Sequence, residues 1–125
     1  MIHLDTNYLV EIVSAGSPGA ANISAWLTAG KSVATSAVAW SEFCNGPLSK
    51  AQKDAAFAVL DRKITDFTWR EAEEAARLFN LSGRRRGSHA DCMIAAAAII
   101  SGVPLATLNR TDFERLVPFG LILEG

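Results

Sequence analysis

Four acidic residues, Asp5, Glu42, Asp91 and Asp112, are the side chains of this sequence best suited to chemistry. Each follows a short apolar run or lies in the adjoining helical pattern, so all four are expected at one end of a parallel sheet. Crowded carboxylates repel one another unless a cation neutralises them. Because oxygen ligands favour hard divalent ions, the sequence predicts a Mg²⁺ or Mn²⁺ site, and such sites most often act on phosphate esters.

Each acid taken singly also has a structural interpretation. Asp91 and Asp112 fall near the starts of predicted helices, where a carboxylate often serves only as a cap. Glu42 alone resembles a solvated helix residue, although neighbours such as Phe43 are apolar. Asp5 is the strongest case, since a carboxylate directly after a buried strand needs a partner. The four together favour a metal site over four unrelated caps.

Short apolar strands alternate with helices along the chain. Strands are predicted at residues 2–4, 33–35, 64–67, 105–107 and 121–123, and helices at residues 6–14, 18–29, 37–45, 50–60, 69–81, 89–101 and from 111 onward. Two of the helix starts have capping-box spacing, Ser49 with Gln52 and Thr68 with Glu71. Apolar strands separated by helices predict an α/β fold, a three-layer α/β/α sandwich with a central, mainly parallel sheet, in one domain over residues 1–125.

Composition narrows the class of protein. The net charge of -1 creates no general attraction for nucleic acid or anionic membranes, so RNA binding would need a local patch or a bridging metal. The longest apolar run, residues 92–100, is far shorter than the roughly 20 residues that span a bilayer. Without a signal-peptide pattern, the chain is expected to be cytoplasmic and away from membranes. Cys44 and Cys92 are expected to be free, buried thiols, because no CxxC pair indicates zinc.

One dense basic cluster, Arg84, Arg85 and Arg86, lies between Gly83 and Gly87. Such a run is commonly a solvated loop, but its place just before the predicted Asp91 helix makes RNA phosphate contact an equal alternative. His3 alternates with apolar strand residues and is expected to pack in the core. Aromatic residues at helical positions are expected in the core or at partner surfaces rather than as base-stacking platforms; they are Trp26, Trp40, Phe43, Phe57, Trp69 and Phe79.

Four sequence blocks, residues 2–7, 36–43, 91–98 and 105–113, occur in an order that resembles one known family. With these blocks, the chain is similar to PIN-domain proteins of the VapC-like class, the ribonuclease toxins of bacterial toxin–antitoxin pairs. The resemblance implies a Mg²⁺-dependent endoribonuclease with Asp5, Glu42 and Asp91 as its acidic metal site. It also implies an RNA substrate, a homodimer and a cognate antitoxin that silences the enzyme.

Two residues, Asn109 and Asp112, are candidates for the position of the fourth acid in the family's site. Many relatives carry Asp two residues after the threonine that corresponds to Thr107, where this chain has Asn109, and many others have Asn there too. Asn109 can hydrogen-bond a metal-bound water or a phosphate, whereas Asp112 can supply the fourth charge. Both therefore count among the catalytic candidates.

Two other functions compete with this interpretation. A phosphatase of the haloacid dehalogenase type would use Asp5 as a covalent nucleophile, but it needs a second Asp at the position of Asn7 and a lysine beyond Lys63, where none occurs. A catalytically silent PIN-like module that binds RNA or protein is the other alternative. The acids argue against it, because clustered carboxylates without a metal would only cost stability.

Overall fold

The computed structural model describes residues 1–125. Its strands are β1 (Ile2–Leu4), β2 (Val33–Ser36), β3 (Ile64–Thr65) and β4 (Leu105–Ala106). Its helices are α1 (Thr6–Ile12), α2 (Pro18–Thr28), α3 (Ala37–Cys44), α4 (Lys50–Val59), α5 (Trp69–Leu81), α6 (His89–Ser101) and α7 (Arg110–Glu114), followed by a 3₁₀ turn at Val117–Phe119. Strands and helices alternate as the apolar pattern predicts.

The strands form one parallel sheet in the order β3-β2-β1-β4. His3 of β1 stands opposite Ala34 of β2 on one side and Leu105 of β4 on the other. Helices flank this sheet, which confirms the predicted α/β/α sandwich. Because all strands run the same way, the residues that follow β1, β2 and β4 emerge at one edge of the sheet.

The helix starts follow local capping chemistry. The hydroxyl oxygens of Ser17 and Ser36 accept hydrogen bonds from backbone amides in the first turns of α2 and α3. Ser49 at α4 and Thr68 at α5 form complete capping boxes. Each cap satisfies an amide that would otherwise lack a partner, which explains why these helices begin where the sequence predicts.

Three predicted strands are shorter in the structure, and the smallest difference is in β4, which ends at Ala106 instead of Thr107. Residues 66–67 lie outside the sheet, because β3 pairs with β2 only opposite Thr35 and Ser36, where β2 ends. The predicted strand at residues 121–123 is a single parallel bridge from Leu123 to Leu105. Its partner β4 is only two residues long and leaves no room for a longer ladder.

The core lies between the sheet and the helices. Leu4, Leu9 and Phe113 are essentially fully buried, and His3 is 1% exposed, as predicted for a packing residue. Residues 95–98 of α6 are alanines that are buried as well, and their small side chains let α6 pack closely against its neighbours. The start of α6, which carries Asp91, therefore belongs to a helix with six buried residues.

One exposure prediction is wrong. Cys44 is a free thiol but is exposed at the end of α3, whereas Cys92 is free and buried as expected. Trp69 is 66% exposed at the start of α5, so of its two expected locations, the core and a partner surface, the core is excluded. None of the helices combines the length and the apolar character needed to cross a bilayer.

Candidate metal and nucleic-acid site

Asp5 is fixed directly after β1 by two hydrogen bonds to its side chain. Its Oδ1 accepts from the backbone amide of Thr6 at 2.7 Å, and its Oδ2 accepts from Thr107 Oγ1 at 2.7 Å. The residue is only 6% exposed, and its burial raises the pKa of Asp5 above its usual value, although the two hydrogen bonds act in the opposite direction. Asp5 is thus a buried, oriented carboxylate rather than a simple helix cap.

Glu42 reaches back from α3 to the start of α1. Thr6 Oγ1 donates to Glu42 Oε1 at 2.6 Å, while the amide of Thr6 serves Asp5. One threonine therefore links carboxylates that are far apart in the sequence. Glu42 itself is exposed, so its oxygens are open to a ligand from solvent.

Asn109 and Asp112 are joined at the start of α7. Asn109 Nδ2 donates to Asp112 Oδ2 at 2.6 Å, and the amide of Asn109 donates to Thr107 Oγ1 at 3.0 Å. Asn7 closes the same edge, since its Oδ1 accepts from the amide of Leu108 at 3.2 Å. The loop after β4 is therefore fixed to the start of α1.

These contacts form one continuous hydrogen-bonded chain across the carboxyl edge of the sheet. It runs through Glu42, Thr6, Asp5, Thr107, Asn109 and Asp112. Three of the four acids predicted from the sequence belong to it. The fourth, Asp91, makes no side-chain hydrogen bond within the chain and is coupled to it through space.

Asp91 lies in the first turn of α6 and faces the other acids. Burial, followed by the negative charges of Asp5, Asp112 and Glu42, raises the pKa of Asp91 to about 6, and only the charge of Arg115 acts in the opposite direction. The structure thus brings Asp91 into one space with Asp112, because both line the same small cleft, and the hydrogen-bonded chain joins Asp112 to Asp5 and Glu42.

Positive side chains border this space on one side. A small cleft without any hydrophobic wall residue is lined by Arg85, Arg86, Gly87, Ser88, Asp91, Asp112 and Arg115. Arg85 Nη1 lies 3.7 Å from Asp112 Oδ1. Arg115 donates two hydrogen bonds, from Nε to the Asp112 carbonyl oxygen and from Nη1 to Ser82 Oγ. Acids and arginines therefore share one cleft.

The three arginines of the predicted basic cluster separate in the structure. Arg84 adopts a left-handed backbone conformation with φ 55°, places its guanidinium over the ring of Phe79 and bonds Asn80. Arg85 and Arg86 instead line the cleft beside Asp91. Only these two are positioned to meet a ligand at the acids.

The donor atoms of the site suit a hard divalent cation, but their spacing is wide. No three of the His, Cys, Asp and Glu side chains lie close enough to bind one ion directly. Mg²⁺ usually keeps several of its waters and is held by only one or two carboxylates, so a hydrated ion fits more widely spaced oxygens. Burial, and after it the neighbouring acids, raise the pKa of Asp91, and a bound cation would act in the opposite direction. The residues therefore fit a hydrated Mg²⁺ or Mn²⁺ ion.

Two residues of the site escape sequence reasoning. Thr107 was expected only as the last residue of a strand, yet it joins Asp5 to Asn109. Arg115 was not expected in the site at all, yet it is the one cation that opposes the raised pKa of Asp91. The hydroxyl position directly after β4 is a signal that could have identified Thr107, because it lies at the same edge as Asp5. For Arg115 the sequence offers only its place one helical turn after Asp112.

Comparison with solved structures gives closely similar folds. The first is VapBC2 from Rickettsia felis bound to a DNA fragment from its promoter, with 25% identity, a TM-score of 0.72, and coverage of 99% of this chain and 98% of that chain. A toxin–antitoxin complex from Klebsiella pneumoniae shares 24% identity with a TM-score of 0.72, covering 90% of each chain. FitAcB from Neisseria gonorrhoeae shares 22% identity with a TM-score of 0.70, covering 99% of this chain and 97% of that chain.

Comparison of sequences gives one family. A search among curated proteins finds no match to this chain. The sequence model of the PIN domain matches residues 2–117, a span that contains all four acids and the arginines of the cleft. The chain belongs to the PIN-domain family.

Proposed function

We propose that this protein is a metal-dependent endoribonuclease that hydrolyses phosphodiester bonds of RNA. The observation that carries the proposal is the hydrogen-bonded chain that joins Glu42, Asp5 and Asp112 at the carboxyl edge of the sheet, beside a polar cleft that Asp112 shares with Asp91. Such a concentration of negative charge would repel RNA unless a cation were bound. With a cation it becomes a site for phosphate chemistry.

Asp5, Glu42, Asp91 and Asp112 would hold Mg²⁺ or Mn²⁺. When bound, the ion would supply charge neutralisation and a water that loses its proton more readily than bulk water. Within the protein, Thr6 and Thr107 fix the orientation of Asp5. Of the two candidates for the fourth position, we assign the ligand charge to Asp112 and a positioning role to Asn109, whose Nδ2 donates to Asp112 Oδ2.

Arg85, Arg86 and Arg115 would bind the phosphates that flank the cleaved bond. All three line the cleft that also contains Asp91 and Asp112. Arginine forms paired, charge-assisted hydrogen bonds with phosphate oxygens. Their position beside the acids would align an RNA backbone with the metal, while the protein as a whole carries no basic field.

We infer that the chain is the toxin of a toxin–antitoxin pair, acting in the cytoplasm as a homodimer. The inference rests on similarity of fold to chains from VapBC and FitAB complexes, which cover nearly the whole of this chain. Its partner would be a cognate antitoxin that blocks cleavage. Co-expression with the product of the adjacent small reading frame should give a stable complex that is inactive on RNA; a free, active toxin under those conditions would contradict the pairing.

The nuclease proposal is tested with purified, partner-free protein and unstructured RNA. Cleavage should require Mg²⁺ or Mn²⁺ and stop in EDTA. Asp5→Asn should remove activity while the protein stays folded, because Asn can still accept the Thr107 hydrogen bond but carries no charge. Glu73→Gln is the matched control, since it removes one carboxylate that is exposed on α5.

Two results would overturn the assignment. Unchanged cleavage by folded Asp5→Asn protein would show that the acids are not the catalytic site. A folded, metal-supplied wild type that cleaves no RNA would instead favour the alternative of a catalytically silent PIN module, and RNA or protein binding by that inactive protein would then be its function.

A further inference from the structure

A second cleft opens beside the acids and includes Thr107, the residue that donates a hydrogen bond to Asp5. We propose that it binds one unpaired nucleobase of the RNA, next to the phosphodiester that is cleaved. This inference rests on the proposed function and specifies how the site selects its substrate. The cleft has a volume of about 260 Å³, and its walls include Tyr8, Asn22, Trp26, Thr107, Arg110 and Glu124.

The cleft is joined to the acids through shared residues. Thr107 is one of its wall residues and donates to Asp5 Oδ2 at 2.7 Å. Leu108, the next residue in the wall, is tied to the start of α1 by the bond from its amide to Asn7 Oδ1. An RNA strand whose phosphate lies at the acids would therefore place an adjacent base at this cleft.

The wall chemistry matches the faces and edges of a base. Tyr8 and Trp26 pack against each other in a tilted arrangement with ring centroids 5.5 Å apart, and Trp26 is only partly buried. Aromatic side chains are the usual contacts for unstacked RNA bases. Asn22 Nδ2 donates to the Tyr8 hydroxyl at 3.0 Å, which leaves the Asn22 amide oxygen free to accept from a base edge.

The polar groups of this cleft suit the edge of a base. Arg110 is held in the wall by its Nη1 bond to the Glu124 carbonyl oxygen at 3.0 Å, and the Glu124 carboxylate lies beside Lys31 at 3.2 Å. A guanidinium donates hydrogen bonds to the ring nitrogens and carbonyl oxygens of bases, and a carboxylate accepts hydrogen bonds from their amino groups. The first cleft carries three guanidinium groups, so we assign the phosphate subsite to it and the base subsite to this one.

The size of the cleft limits its occupant. Its 260 Å³ is smaller than the roughly 300–1,000 Å³ of sites for drug-sized ligands. A single base fits a cleft of this volume, whereas a folded RNA element does not. The protein would therefore read one unpaired nucleotide and leave the remainder of the sequence to weaker contacts.

The first experiment measures base preference. Wild-type protein with Mg²⁺ is given a pool of RNAs with randomised bases around each cleavage position, and the products are sequenced. We expect about tenfold or greater preference at one position, because a hydrogen-bonded base edge typically discriminates by that amount. Asn22→Ala and Arg110→Ala should reduce this preference to less than about threefold, since each removes one edge contact. Ser24→Ala, an exposed change on the same helix as Asn22, is the matched control and should leave the preference unaltered.

The second experiment measures binding without cleavage. Asp91→Asn protein with Mg²⁺ is titrated with RNA tetramers that differ in one base while tryptophan fluorescence is recorded. The preferred base should quench fluorescence, and the quenching should disappear in the double variant that also carries Trp26→Phe. Quenching that persists there would place the base against Trp40 or Trp69 and overturn the inference.

The two experiments separate failure of the cleft from failure of the nuclease proposal. Cleavage with a preference that Asn22→Ala and Arg110→Ala leave intact would overturn the base subsite while the nuclease stands. Cleavage without any base preference would do the same. Absence of all cleavage would overturn the nuclease proposal, and base-dependent quenching through Trp26 would still support the cleft as a nucleobase site.

Discussion

Replacement of Asp91 by Asn should make the metal-free protein more stable. In the folded protein, burial and the three neighbouring acids raise the pKa of Asp91 from 3.8 to about 6. The folded state therefore holds this proton more tightly than the unfolded chain does. The free energy of unfolding then falls as the pH rises from about 4 to about 6, and the full cost is present at neutral pH.

The size of the effect follows from the shift. One pKa unit corresponds to about 1.4 kcal/mol, so the full difference would be roughly 3 kcal/mol. Asp91 is only partly buried, and water screens a partly exposed charge, so we expect about 1–2 kcal/mol. For a chain of this length, that gain in unfolding free energy raises the melting temperature by roughly 4–10 °C.

Thermal unfolding followed by circular dichroism in EDTA measures this difference. Asp91→Asn should melt above wild type at neutral pH, and the gap should narrow toward about pH 4, where Asp91 of the wild type is protonated. Glu73→Gln removes an equal charge from an exposed position on α5 and should change the melting temperature little.

Addition of Mg²⁺ to the same samples completes the test. A ligand that binds only the folded state stabilises it in proportion to the logarithm of its concentration. Wild type should therefore gain stability with Mg²⁺. Asp91→Asn should gain less, because it lacks the negative charge of one of the carboxylates that would bind the ion. An Asp91→Asn protein that is less stable than wild type in EDTA, with a gap independent of pH, would refute the account of a repulsive acid cluster.

Three further predictions concern other parts of the molecule. His3 is 1% exposed, its Nε2 has no hydrogen-bond partner, and burial lowers the pKa of His3 from 6.5 to about 4. The free energy of unfolding should therefore fall as the pH drops from about 6.5 to about 4, by up to roughly 3 kcal/mol. His3→Leu should shift the midpoint of acid unfolding to lower pH, whereas His89→Gln, a change at an exposed site, should not. Thr107→Val should reduce RNA cleavage at least about tenfold, because Asp5 Oδ2 loses its hydrogen bond. Thr107→Ser keeps the hydroxyl and should cleave RNA nearly as well as the wild type. Equal activity of the two variants would show that the bond from Thr107 to Asp5 does not orient Asp5. Arg85→Ala should weaken RNA binding and reduce the steepness of log affinity against log salt concentration by about one. Arg84→Ala should leave that slope unchanged, because Arg84 lies over Phe79. Equal slopes for the two variants would contradict the assigned phosphate subsite.

Structural features that depend on residues close together in the sequence, such as helix caps and short strands, are predicted well from this sequence. The caps at Ser17, Ser49 and Thr68 depend on side chains within three residues of the amides they bind, and all three form. The short apolar strands likewise mark the centre of the sheet. Since parallel strands share one carboxyl edge, the positions of the acids after them also follow from the sequence.

Features decided by contacts between distant segments are those that the sequence does not reveal. The exposure of Cys44 depends on where α3 ends relative to the rest of the fold, and the short third strand depends on the end of β2. Nothing in the run of three arginines distinguishes Arg84 from Arg85, because the difference arises from a left-handed backbone turn and from Phe79. The base cleft joins residues of α1, α2 and the chain after β4, so no sequence motif contains it.

The order of strands has a consequence for when the proposed site can form during synthesis. β1, which Asp5 follows directly, is made early, but one of its two neighbours, β4, is made about 100 residues later. Until Thr107 leaves the ribosome, Asp5 lacks its buried hydrogen-bond donor, and the sheet edge stays unpaired. A nascent chain that lacks the segment with β4 and Thr107 therefore cannot hold Asp5 in the geometry on which the proposed cleavage depends.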